Sequence, residues 1–131
     1  MATEKVICDT DVIIDYYDKK NIRHLATRYI VDNSILSAVS KTELLTGATN
    51  KEDLERINRE IAHFHIAQID TEISKCSLSL LQQFSLSHGL AIADSLIAAT
   101  SIILDYQLFT YNIKDYKFID KIRLYKFKMK L

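Results

Sequence analysis

The chain has 131 residues, 48% of them apolar and 26% charged, with Lys and Arg balancing Asp and Glu at a net charge of zero; that is the size of one domain, here residues 1–131, able to bury a core without staples. Cys8 and Cys76 stand apart, without CxxC or Cys/His spacing, which argues against structural zinc and makes both small buried hydrophobes in a reducing compartment. No apolar run reaches membrane length and Met-Ala-Thr-Glu-Lys is no signal-peptide core, so a soluble, cytoplasmic protein is expected, and the neutral balance offers no overall electrostatic case for nucleic acid.

Val6-Ile7-Cys8 reads as a buried strand running into Asp9-Thr10-Asp11, after which a short helix is predicted to Tyr17. Asp18-Lys19-Lys20-Asn21 breaks it, and apolar residues at helical spacing predict a helix from Ile22 to Val31. Ser34 to Ser37 is a second strand. Ser40 opens a helix that closes near Gly47, and Asn50 is placed to cap one from Lys51 to Ala62. Phe64 to Ile69 is a third strand; Asp70-Thr71 caps a helix over 72–87, which Gly89 stops as a left-handed C-cap. Leu90 to Leu104 is apolar nearly all round and predicts a helix buried on most sides. Gln107 to Thr110 is a fourth strand, followed by a polar turn and a short helical piece over 113–118. Tyr125 to Leu131 alternates strictly and predicts a half-buried strand with lysines outward. Strands alternating with helices imply a mainly parallel sheet covered on both faces.

In such a sheet the carboxyl ends of the strands border the crevice that holds the site. Asp9 is the first candidate there, with Thr10 or Asp11 expected to cap the next helix. Asp94 is flanked by Ala91, Ile92, Leu96, Ile97 and Ala98, an apolar setting in which a carboxylate persists when paired or metal-bound; the bland alternative is a first-turn acid favoured by the helix dipole. Ser40-x-x-Glu43 taken alone is a capping box. Taken as a set, Asp9, Glu43 and Asp94, with Asn112 or Asp115, follow elements that converge on one edge. Clustered carboxylates repel unless a cation neutralises them, and hard oxygen ligands suit Mg²⁺ or Mn²⁺. Lys114 and Lys117 follow the fourth strand and are expected to steer a phosphate backbone, whereas from Lys121 onward a solvated face is at least as good a reading. His24, His63, His65 and His88 receive structural roles, and Tyr16, Tyr17 and Tyr111 are core edges or base-stacking surfaces.

Four short motifs in order carry a resemblance across nearly the whole chain: Ile7-Cys8-Asp9-Thr10-Asp11, Ser40-Lys41-Thr42-Glu43-Leu44 with Gly47, Gly89 through Asp94-Ser95-Leu96-Ile97-Ala98-Ala99, and Thr110-Tyr111-Asn112-Ile113-Lys114-Asp115-Tyr116. The chain resembles the PIN-domain ribonucleases, especially the toxins of VapC-type toxin–antitoxin pairs. The resemblance implies a three-layer α/β/α fold, divalent-metal-dependent cleavage of RNA as the toxin of a type II system, and a cognate antitoxin that occludes the acidic pocket. Asp9, Glu43 and Asp94 match the family's metal-binding acids, and Thr10 its hydroxyl beside the first. Asn112 stands where many members place a fourth acid, with Asp115 as a substitute through water, so a second metal is in question. Thr10, Thr110, Lys114 and Lys117 are the expected substrate contacts. A homodimer is expected, with the helices 22–31 and from Lys51 offering faces to a second copy or an antitoxin. A DNA or structure-specific nuclease and a non-catalytic binding module are the alternatives.

Overall fold

The computed structural model describes residues 5–17 and 28–126. Four strands of three residues each, β1 (Val6–Cys8), β2 (Ile35–Ser37), β3 (His65–Ala67) and β4 (Gln107–Phe109), form one sheet in the order β3-β2-β1-β4. Every pairing is parallel, with Ile7 opposite Ile35 and Leu108, and Leu36 opposite Ile66. The chain leaves β1 towards β2 and β3, then returns to β1's other side as β4. The winding therefore reverses at β1, and ligand crevices open at such points.

The helices are α1 (Thr10–Tyr16), α2 (Ala38–Thr46), α3 (Lys51–Ile61), α4 (Thr71–His88) and α5 (Ile92–Leu104). Residues 28–32 are also helical, and the start of the helix expected over 22–31 lies outside the described residues. Strand alternation sends Ile7, Ile35, Ala67 and Leu108 to one face, where Ile73 and Leu80 of α4 and Ile97, Ala98 and Ala99 of α5 cover them. Val6, Cys8, Leu36 and Phe109 point the other way, onto Val12 and Ile13 of α1 and Ile57 and Ile61 of α3. Three layers result, α/β/α, with two cores. Each fully buried Ile or Leu contributes about 1.5–3 kcal/mol, so the three-residue strands are held by what they bury more than by their ladders.

Caps account for several boundaries. Asn50 accepts from Asp53 N at 2.7 Å and Asp70 from Ile73 N at 2.9 Å, the two caps expected. Gly89 closes α4 at φ 65°, the left-handed region. The cap of α2 differs from expectation: Ser37 accepts from Val39 N, so the helix begins before Ser40, which is fully buried inside it. Helix α5 is buried in its middle but leaves Ile92 72% exposed and Ile103 40% exposed, so it is open at both ends rather than covered on most sides.

The strand expected from Tyr125 to Leu131 lies mostly outside the described residues. Just before it, Leu124 bridges Leu108 in parallel; Leu108 N donates to Arg123 O and Tyr125 N to Leu108 O, both at 2.8 Å. Tyr125 and Lys126 are outside any strand, and residues 127–131, including Lys128 and Lys130, are not among those described. Cys8 is buried, and burial pushes its thiol up to about 12; Cys76 is only half-buried.

Candidate functional site

Asp9 follows β1 and is itself the N-cap of α1, with Oδ1 accepting from Thr10 N at 2.8 Å. Oδ2 accepts from Thr110 Oγ1, just past β4, at 2.9 Å and lies 3.2 Å from the Tyr116 hydroxyl. Asp9 is 6% exposed, and burial raises its pKa, opposed by those three neutral donors and assisted by the charge of Glu43.

Asp11 does not cap α1. Its Oδ2 accepts from Tyr111 N and from Asn112 Nδ2, both at 3.1 Å, so it fastens the loop after β4 to the start of α1. Burial first, then Asp9, holds its pKa up at about 6. Its Oδ1 is buried with no hydrogen-bond partner among the described residues.

Glu43 is not the return arm of a capping box, because Ser40 is no cap. It sits mid-helix in α2, where Oε1 accepts from Thr10 Oγ1 at 2.6 Å, tying the second strand's helix to the first acid's neighbour. Asp94 lies in the first turn of α5, whose N-cap Ala91 offers no side-chain bond. It is half-buried, and Oδ1 stands 3.1 Å from the Tyr116 hydroxyl. Burial raises its pKa, Tyr116 lowers it, and Asp9, Asp115 and Glu43 raise it further.

Asp9, Glu43 and Asp94 thus stand within one another's fields, with Asp115 beside Asp94 on the 3₁₀ turn Ile113–Asp115. Asn112 is exposed at the start of that turn, its amide nitrogen committed to Asp11. Thr10 and Thr110 hold acids in place, while Lys114, in that turn, and Lys117, just after it, are exposed. The histidines 63, 65 and 88 are exposed, and His24 lies outside the described residues. The three tyrosines bear out the core-edge reading: Tyr16 donates to Asp32, Tyr17 to Glu60 O, and Tyr111 to Asp15 Oδ2 at 3.0 Å.

Tyr116 is the group the sequence did not single out. It closes the fourth motif, but only its contacts distinguish it from another core aromatic.

The donor set suits a hard divalent cation: carboxylates at one edge, with the pKa values of Asp9 and Asp94 raised by burial and by neighbouring acids, and an orphaned buried oxygen on Asp11. Among the described residues no three acid, His or Cys side chains are drawn up around a common point. Mg²⁺ keeps several waters and needs only one or two direct carboxylates. Asp9, Asp94 and Glu43 are the residues that would hold it, with Asp115 a further acid in the field of Asp94.

A parallel α/β/α sandwich with carboxylates gathered at its switch point is the architecture of a known class, and residues 6–121 match the PIN domain; the chain belongs to the PIN-domain family. Ribonuclease VapC1 of Methanocaldococcus jannaschii is 33% identical over 129 residues, covering 97% of this chain and 86% of that protein, which places the chain with the VapC-type members. A toxin–antitoxin complex from Klebsiella pneumoniae superposes at a TM-score of 0.74 with 24% identity, over 89% of this chain and 94% of that one. VapBC2 from Rickettsia felis, bound to a promoter DNA fragment, gives 0.76 with 19% identity, over 95% and 99%. At those identities the two structures speak for the fold. No helix among the described residues is long and apolar enough to cross a membrane.

Proposed function

We propose that the chain is a divalent-metal-dependent endoribonuclease, the toxin of a type II toxin–antitoxin pair. The observation that carries the reading is the gathering of Asp9, Glu43 and Asp94 at the β1 switch point, in a chain whose relative at 33% identity is named a ribonuclease. Mg²⁺ or Mn²⁺, when bound, supplies positive charge to a phosphoryl oxygen and activates water for in-line displacement.

The chain's own residues do the rest. Asp9, fixed by Thr10 N, Thr110 and Tyr116, presents a carboxylate that cannot turn away. Thr10 holds Glu43 towards it, and Asp94 closes the set from α5. Because Asn112 is neutral, one tightly held ion is the expected state. Lys114 and Lys117 draw the phosphate backbone to the rim, and no protein nucleophile is required.

A groove of about 340 Å³ beside the site, lined by Ile13, Ile14, Tyr17, Leu44 and Ile57, runs up to Glu43. An antitoxin helix would lay its apolar face there and extend a cationic side chain into the acids, by charge complementarity.

The test is cleavage of structured RNAs and single-stranded DNA by purified, antitoxin-free protein with Mg²⁺, Mn²⁺ or EDTA. RNA cutting should vanish with EDTA and fall at least about 100-fold in Asp9→Asn and Asp94→Asn, the scale on which lost electrostatic stabilisation acts. DNA cutting alone would move the substrate. Cutting that survives both substitutions would place the chemistry elsewhere.

A further inference from the structure

Tyr116 touches both the first and the third acid. Its ring is 0% exposed, packed in the core cluster with Ile97, Leu108 and Ile119, and its hydroxyl reaches Asp9 Oδ2 at 3.2 Å and Asp94 Oδ1 at 3.1 Å. Packing explains the ring but not the oxygen, since a phenylalanine would fill the same space and a buried hydroxyl costs free energy unless bonded.

The two acids depend on that hydroxyl unequally. Asp9 is held redundantly, by Thr10 N at 2.8 Å and Thr110 Oγ1 at 2.9 Å as well as by Tyr116. For Asp94, the side-chain hydrogen bond the structure shows is the one to Tyr116, and α5 begins without a side-chain cap. A half-buried aspartate in a first turn otherwise has free rotation about two bonds. One phenol oxygen lies within hydrogen-bond distance of both carboxylates, so seating it on Asp9 restrains where Asp94 sits.

We propose that Tyr116 is a positioning residue: its hydroxyl, seated on the firmly held Asp9, holds the Asp94 carboxylate in place beside it, so that the pair is preformed for one divalent cation. This rests on reading the acids as a metal site. It predicts that the oxygen, not the ring, matters. Hydrogen-bonding partners of metal ligands typically contribute roughly 10–100-fold to affinity, and the lower end applies here because Asp9 keeps its other donors.

The experiment titrates Mn²⁺ into the metal-free full-length chain and reads free Mn²⁺ by electron paramagnetic resonance, for wild type, Tyr116→Phe, Thr110→Val and Asp94→Asn. Thermal unfolding in EDTA runs alongside. The expected result is about tenfold weaker binding in Tyr116→Phe, a smaller loss in Thr110→Val, and an unfolding temperature in EDTA that stays near wild type for Tyr116→Phe. RNA cleavage by Tyr116→Phe should fall at limiting Mn²⁺ and recover as Mn²⁺ is raised. Unchanged affinity in Tyr116→Phe, or an equal loss in Thr110→Val, overturns the proposal. A large drop in stability in EDTA overturns it too, by making the hydroxyl a prop of the fold. A wild type that binds no Mn²⁺, or binding indifferent to Asp94→Asn, removes the metal reading and this inference with it, whereas a failure confined to Tyr116→Phe leaves that reading standing.

Discussion

At the scale of single residues, Asp9, Asp11 and Asp94 are held against their own preference to ionise. Asp11 shows it most directly, its pKa raised from 3.8 to about 6 by burial and by Asp9. A carboxyl whose folded pKa lies above its unfolded value binds its proton more tightly when folded, so its ionisation weakens the fold as pH rises through that window. Asp11→Asn removes the contribution. The unfolding temperature of the variant relative to wild type, in EDTA, should therefore increase between pH 4 and pH 7 by the equivalent of about 1–2 kcal/mol, a figure discounted for partial solvent screening. A flat difference would show that the Tyr111 and Asn112 donors already neutralise the cost. Asp9 and Asp94 stood out in the sequence as acids after an apolar strand and inside an apolar helix, whereas Glu43, alone a capping-box residue, counted only as one of the set. Their partners were hidden, because Thr110 and Tyr116 meet Asp9 across 101 and 107 residues of chain.

Among the elements, local signals were read well where a cap lies next to what it caps, and poorly where two candidates compete. Asn50 and Asp70 cap α3 and α4 as their sequences predict. Asp9 over Asp11, and Ser37 over Ser40, were decided by which residue the strand leaves extended at the helix start; Asp9 has φ −70° and ψ 161°, Ser37 φ −66° and ψ 146°. Gly89 offers a clean check on a cap. Its φ is 65°, and an added Cβ meets nothing within 4 Å, so Gly89→Ala carries backbone strain without a clash. A loss of roughly 1–2 kcal/mol is expected in the denaturant midpoint. A neutral result would mean that the turn relaxes into another conformation.

For the molecule as a whole, the proposed metal site and folding stability would share one set of carboxylates. A cation that binds only the native state stabilises it by mass action, and it competes with protons for those ligands. Because Asp9 and Asp94 have raised pKa values, Mg²⁺ or Mn²⁺ should raise the unfolding temperature more at pH 7.5 than at pH 5. Calorimetry at the two pH values with and without Mn²⁺ checks this, and an equal rise at both would point to surface binding away from the buried acids.

The sequence by itself determined the class of fold and the positions of three acids. Hydrophobic period, strand length and flanking polar residues are local properties, and in a parallel sheet they already place the residues that follow neighbouring strands at one edge. Only the tertiary structure decided which atoms meet: that Asp11 clamps the β4 loop, that Glu43 answers to Thr10, that Tyr116 spans two acids, and that Leu124 bridges Leu108. Each of these is a contact between residues distant in the chain, set by how helices and loops pack on the sheet, which no local pattern encodes.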